Sequence, residues 1–286
     1  MSIKITKQDI DSCESNIFGN WIDDKSLQVD NTPFKHILIP NFLQDAVYQN
    51  ILQKFPETYD SNFWKYYNPL EVKYALDNFE HMDSIIKNYF YALSTKKIIG
   101  KFSDLFKIHN LEYDSYLHGA GIHLHPRNGR LNMHLDYEKH PYSSKQRRLN
   151  VIFYVNETWN INWNGDTQLW DSEMKFCARK YYPQKNTALV FETIDKSWHG
   201  VPDKLNCPDN TFRKSLAFYY VSPLENKSDF KKMGPNDEGF RTKAVFVKRP
   251  GDQEDKRMNT LFKIRPYRRI KSEDMKDIWP DWTPQL

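Results

Sequence analysis

Beyond Leu111 the chain alternates apolar and polar residues in short runs, and this period of two predicts strands over 113–117, 121–125, 131–137, 148–156, 167–171, 173–181, 187–192 and 213–221. Gly, Pro, Asn and Asp fill the gaps between them, as strand boundaries require. Strands this short and evenly spaced predict two packed sheets or a barrel. Upstream the period lengthens. Leu43, Val47, Ile51 and Phe55 share one face of a helix expected over 44–55, and Ile85, Ile86, Tyr89 and Phe90 do so in one over 81–93; a third pattern covers 96–108. PFKHILIPNFL at 33–43 reads as a short strand leading into the first helix, and 56–75 as an aromatic loop. No linker separates helices from strands. The expectation is therefore one mainly β domain over 1–224, its helical part at 1–110 buttressing a β core at 111–224. Residues 225–286 extend it, with a short run KAVFVKR and a helical pattern at 272–278, and are expected to pack on the same domain.

Alternation also assigns faces. In LNMHLDY at 131–137, His134 and Asp136 lie at i and i+2, so an imidazole and a carboxylate point the same way, about 6–7 Å apart along a strand. A lone HxD pair is most often a surface pair. What changes its weight is a second imidazole 63 residues after Asp136, His199 in KSWHGVP. Two imidazoles and one carboxylate form the donor set of non-haem Fe(II) oxygenases, which leaves metal positions open. In RLNVIFYV, Leu149, Val151, Phe153 and Val155 form an apolar face suited to packed layers. The opposite face sets Asn150, Ile152 and Tyr154 in a row, a composition that suits a small-molecule pocket wall. In FRKSLAFYYV, Arg213, Ser215, Ala217 and Tyr219 share a face, and a guanidinium there offers a planar fork for a carboxylate. The polar loop 138–147 follows Asp136 directly and is expected at the mouth of the site, where it could act as a lid.

Composition narrows the classes. The 39% hydrophobic content suffices for a core and excludes a disordered chain. No apolar run is long enough for a membrane span, and the N-terminus lacks the apolar segment of a secretory signal, so an intracellular, cytoplasmic location is expected. Three scattered cysteines, Cys13, Cys177 and Cys207, form no CxxC pair. The net charge of +4 lies wholly in 225–286, with 15 Lys/Arg against 11 Asp/Glu, while 1–224 balance at 26 of each. That balance disfavours a nucleic-acid partner. The tail's cluster Lys263, Arg265, Arg268, Arg269 and Lys271 reads first as a solvated face and second as a contact with an anion.

The ordered runs GAGIHLHPRNGRLNMHLDYE, RRLNVIFYVNETWN, GDTQLWD, SWHGVPDKLNCPDN and RKSLAFYYVS, across about 112–223, resemble the 2-oxoglutarate- and Fe(II)-dependent oxygenases, in the branch similar to prolyl 4-hydroxylases. The resemblance implies a double-stranded β-helix of the jelly-roll or cupin-like kind. It implies His134, Asp136 and His199 as iron ligands and catalytic residues, and Arg213 on the distal carboxylate of 2-oxoglutarate. Tyr154 matches a position that often hydrogen-bonds the same carboxylate; Asn150, His125 and Ser215 complete the expected co-substrate wall, although His125 stands near where relatives carry Tyr. The implied cofactors are Fe(II), 2-oxoglutarate and O2, with ascorbate as reductant. The implied reaction couples oxidative decarboxylation of 2-oxoglutarate, to succinate and carbon dioxide, with hydroxylation of an unactivated C–H. Relatives that halogenate lack the carboxylate present here as Asp136. A prolyl residue in a peptide or protein is the lead substrate by resemblance; a free amino acid, a sugar or another small metabolite is the alternative. A non-catalytic β-helix binding module is the reading of another class. Oligomeric state and the role of the basic tail stay open.

Overall fold

The alternating runs fold as strands, except that 114–117 and 173–176 fall in turns outside any strand, and all but one strand pair join a single sheet. The structure, a computed structural model, describes residues 3–225, 236–237 and 239–283. The strands are β1 (His36–Pro40), β2 (Trp64–Asn68), β3 (Glu71–Leu76), β4 (Glu112–Tyr113), β5 (Gly121–His125), β6 (Arg130–Leu135), β7 (Gln146–Tyr154) and β8 (Thr167–Trp170). They continue with β9 (Cys177–Tyr181), β10 (Thr187–Glu192), β11 (His199–Val201), β12 (Arg213–Ser222), β13 (Asn236–Asp237), β14 (Phe240–Arg241) and β15 (Val245–Phe246). Helices α1 (Lys7–Ser12), α2 (Asp45–Lys54), α3 (Ser84–Leu93) and α4 (Lys96–Phe106) precede β4, and α5 (Lys256–Ile264) and α6 (Ser272–Ile278) end the described chain. The large sheet has 13 strands; its main path runs β1-β10-β7-β12-β5-β3-β6-β11-β8-β9, with β2 on β3, β4 on β12 and β15 on β6. β13 and β14 pair separately.

The two faces of β7 behave as its alternation dictates. Leu149, Val151, Phe153 and Val155 are fully buried in one cluster with Tyr48 and Ile51 of α2, Ile86, Tyr89 and Phe90 of α3, and Ile98, Phe102 and Phe106 of α4. Burying one such side chain contributes about 1.5–3 kcal/mol, so this helix-on-sheet layer holds β10, β7 and β12 in place. The helices start and stop for local reasons. Asp83 accepts from the Ile85 N–H at 3.0 Å, which sets the start of α3 at Ser84 rather than at His81. Lys107 takes the left-handed conformation (φ 57°) and ends α4 at Phe106, short of the expected Ile108.

The stretch 56–75, expected as a loop, instead holds most of the β2–β3 hairpin, in register from Trp64↔Ala75 to Asn68↔Glu71. Its turn is tied by Asn68 Oδ1, which accepts from the N–H groups of Leu70 (3.0 Å) and Glu71 (3.3 Å). β2 pairs with β3 alone and is largely exposed, so no buried alternation marks it in the sequence. The loop 138–147 is not free at its base. The N–H groups of Glu138 and Lys139 donate to the Arg241 carbonyl, and His140 Nε2 lies 3.2 Å from Asp114 Oδ1 in full burial. Only its tip is exposed. The Gly-Pro turn that the sequence offers at 234–235 lies outside the described residues. No helix among the described residues is long and apolar enough to cross a membrane.

Candidate active site

Strand pairing, not sequence proximity, brings the two imidazoles together. β11 pairs antiparallel with β6 so that His199 sits directly opposite His134, and the ring centroids are 4.3 Å apart. The approach needs Gly200: a Cβ there would lie 2.7 Å from the Leu131 carbonyl oxygen on β6. β6 ends at Leu135, and Asp136 one residue later still faces the same side, with Oδ1 3.7 Å from His134 Nε2 and Oδ2 3.9 Å from His199 Nε2. One donor atom from each of the three residues lies within 4.8 Å of the others. Phe191, 4.6 Å from the His199 ring, and Phe246, 5.0 Å from the His134 ring, close the row of four rings at either end.

The donor set suits a metal in its chemistry as well as its spacing. Nδ1 of His134 lies 2.9 Å from the Asn132 carbonyl oxygen, and Nδ1 of His199 lies 2.8 Å from that of Ser197. A carbonyl only accepts, so each Nδ1 carries the proton and each Nε2 turns its lone pair to the cavity. Burial, then the neighbouring His199, pushes His134 down to about 3, and burial lowers His199 too, so both rings stay neutral. Burial would raise Asp136. The neighbouring Arg147 guanidinium leads the groups that outweigh it and hold the carboxyl below its ordinary range, ionised. Arg147 is itself fully buried, its guanidinium clamped between the rings of Tyr137 (3.7 Å) and Tyr219 (3.3 Å), with Nη1 3.6 Å from Asp136 Oδ2.

Arg213 stands on the same cavity. It is 2% exposed; Nε donates to the Gly165 carbonyl at 2.7 Å and Nη2 to Thr167 Oγ1 at 2.9 Å. Among the described residues no carboxylate lies within ion-pair distance of it, and burial depresses it below the usual arginine range. A buried guanidinium without an anion is ready to take one. Beside it in register on β5 is His125, buried, with neither ring nitrogen hydrogen-bonded. Asn150 donates to Asp136 Oδ2 at 3.3 Å and leaves its own buried oxygen without a partner. These orphaned atoms line a cavity of about 520 Å3 together with Ser215, Ala217, Tyr219, His123, Thr167 and the triad.

The expected residues thus converge, with one difference. Tyr154 does not line the cavity: its hydroxyl is 2.8 Å from Thr167 Oγ1 and its ring lies 5.1 Å from the Arg213 guanidinium, so Thr167 presents the hydroxyl that faces the cavity. The sequence reading missed Arg147, Thr167, His123 and Lys73. Arg147 is hidden by a bulge. Tyr220 pairs with Leu149 but Val221 pairs with Arg147, so the extra residue Arg148 shifts the alternation and turns Arg147, not Arg148, toward the cavity. Thr167 could have been found from its place at the start of a predicted strand. The tail supplies more of the lining, with Thr242, Lys243, Ala244, Phe246, Arg265, Arg268 and Arg269.

A curled sheet with two imidazoles and a carboxylate on one wall of a cavity presents the donor set of facial-triad non-haem iron sites, a candidate metal centre. Residues 120–221 match the profile of the 2OG-Fe(II) oxygenase superfamily, a family that uses Fe(II), 2-oxoglutarate and O2. Among solved structures, a Pseudomonas putida prolyl-4-hydroxylase is similar over 71% of this chain and 97% of its own, at 13% identity and a TM-score of 0.50. A prolyl hydroxylase from Trichoplax adhaerens, in complex with a hypoxia inducible factor peptide fragment, covers 65% and 83% at 17% identity and a TM-score of 0.49. HygX from Streptomyces hygroscopicus, with nickel, 2-oxoglutarate and hygromycin B bound, covers 68% and 85% at 12% identity and a TM-score of 0.43. No curated protein matches the chain. The fold is the double-stranded β-helix of these oxygenases.

Proposed function

We propose that this chain hydroxylates an unactivated C–H, holding Fe(II) through His134, Asp136 and His199 and the distal carboxylate of 2-oxoglutarate on Arg213. The observation that carries the reading is the His–Asp–His cluster beside a buried, anion-free guanidinium in one cavity. When bound, the iron supplies the oxidative chemistry, with 2-oxoglutarate as the reductant of O2. The protein's part is orientation. Asn132 and Ser197 carbonyls fix the imidazole tautomers. Asn150 and Arg147 hold Asp136 ionised at a set angle. Thr167, braced by Tyr154, steers the Arg213 fork, while His125 and Ser215 line the co-substrate's side of the wall.

Residues 1–224 in this reading are one oxygenase domain and 225–286 its extension, supported by the pairing of β15 with β6. A prolyl residue in a peptide is the lead substrate, on the family resemblance. A small metabolite is the second reading, and the tail residues that roof the cavity favour it. The test is anaerobic Fe(II) titration of wild type, His134→Ala and His199→Ala, followed by succinate assay. One equivalent of metal in wild type and none in the variants is expected; equal affinity in all three would end the proposal.

A further inference from the structure

The triad and Arg213 do not account for all the positive charge in the cavity. Lys73 on β3 is half-buried and lines it, and Arg269 lines it from the tail. The two meet at one aromatic ring: Lys73 Nζ lies 5.1 Å and the Arg269 guanidinium carbon 5.3 Å from the Tyr66 centroid. Among the described residues no carboxylate is within ion-pair distance of either, nor of Lys243, which is half-buried on the lining like Lys73, whereas Arg269 is solvent-exposed. The acids nearby are committed elsewhere. Glu71 accepts from buried Arg265 Nε at 2.8 Å, Asp77 pairs with Lys4 at 3.2 Å, and Asp136 belongs to the triad. Arg268, next to Arg269, is neutralised by Asp274.

Desolvating an amine without an anion is unfavourable, and burial does depress Lys73 below the usual lysine range despite Glu71 and Asp136. Such a group fits a site whose anion arrives with a ligand. That anion is distinct from the carboxylate assigned to Arg213. β5 lies between β3 and β12, so the backbones of Lys73 and Arg213 are two strand spacings apart, roughly 10 Å. The space opens to solvent past the exposed side chains of Trp64 and Tyr142, but it is narrow. Thr242, Lys243, Ala244 and Phe246 line it from the tail, and about 520 Å3 is the volume of a small-molecule pocket.

We infer that Lys73 and Arg269, with Lys243 beside them, form a subsite for a carboxylate or phosphate on the substrate to be hydroxylated, and that this substrate is a compact anionic molecule. The inference deepens the proposed function and rests on it. The test uses the full chain loaded with Mn(II) and saturating 2-oxoglutarate, titrated by calorimetry with methyl phosphate, acetate and neutral acetamide. At least one anion binds and acetamide does not; which anion binds separates a phosphoester from a carboxylate substrate. Lys73→Met and Arg269→Met each weaken that binding at least tenfold, and Lys73→Arg, which keeps the charge, stays within about threefold of wild type. Affinity for 2-oxoglutarate is unchanged in all three. Anion binding no stronger than that of acetamide overturns the inference, as does a Lys73→Met variant that loses 2-oxoglutarate to the same extent. Succinate formation stimulated by an uncharged proline peptide, undiminished in Lys73→Met, also overturns it and leaves the hydroxylase reading intact. Failure of wild type to bind metal or 2-oxoglutarate would instead sink that reading.

Discussion

On one side of the cavity His134 and His199 are held by strand pairing, each Nδ1 tied to a backbone carbonyl two residues back. On the other, the tail is held by the short β15–β6 pair, by apolar packing of Leu261, Phe246 and Leu70, and by side-chain ion pairs of Arg265 on Glu71 and of Arg241 on Glu138 and Asp195. The first arrangement depends on register and survives many substitutions of neighbouring side chains. The second depends in part on the buried Arg265–Glu71 pair, so losing either member leaves an unpaired charge. The wall that carries the reaction is thus built from backbone, and the roof that selects the substrate from replaceable contacts. A roof of that kind can change its specificity while the wall keeps its chemistry.

Substitutions on either side separate these two arrangements. The largest effect is expected at the wall: His134→Ala removes a ligand, and since a tightly held metal draws several kcal/mol from each ligand, Fe(II) affinity falls about 100-fold or more, read by anaerobic titration. Next comes the roof. Arg265→Met strands buried Glu71 and costs about 3–5 kcal/mol of stability in urea unfolding, and adding Glu71→Gln recovers part of it. Metal affinity of the folded variant should change little. Arg213→Met removes one side of a desolvated charge pair, about 2–5 kcal/mol, so 2-oxoglutarate binding weakens roughly 30-fold or more while Fe(II) binding holds. Lys214→Met is the control for register. Lys214 points to the other face, onto Glu57 at 3.0 Å, and its loss should stay within about 0.5 kcal/mol.

A pH series sharpens the roof's share. Burial alone would raise Glu71, but Arg265 reverses this and holds the carboxyl below its ordinary range. A depressed carboxyl contributes stability that is full above the unfolded value of about 4.3 and is lost as pH falls through the lower folded value. The stability gap between wild type and Arg265→Met should therefore narrow below about pH 4 and stay constant above about pH 6. A gap that widened on acidification would show that Arg265 acts through packing alone.

Legibility follows the same division. His134, Asp136 and the Arg213 face could be read because an alternating strand between buried layers writes its two faces into the sequence. That His199 sits opposite His134 could not, because β11 is three residues long and has no period of its own. Arg147 was lost to one bulged residue, Arg148. The basic cluster of the tail reads first as one solvated face; the structure keeps Lys263, Arg268, Arg269 and Lys271 exposed, with Arg268 and Arg269 also lining the cavity, and buries Arg265 on Glu71. Composition cannot make that division, since it depends on where α5 lands, and that is decided by Leu261, Phe246 and Leu70 packing together.

The pairing of β15 with β6 has a consequence for how the molecule is made. β3 occupies the edge of β6 at Arg130 and Leu131, and the rest of that edge, at His134 and Leu135, is filled only by Phe246 and Val245. A nascent chain emerging from its N-terminus at about 5–20 residues per second exposes that edge, ligand included, until the tail is released. Open edges of this sort recruit other strands. A ribosome stalled after Ser222 would hold a chain with all four key residues, His134, Asp136, His199 and Arg213, and an unguarded strand beside the first of them.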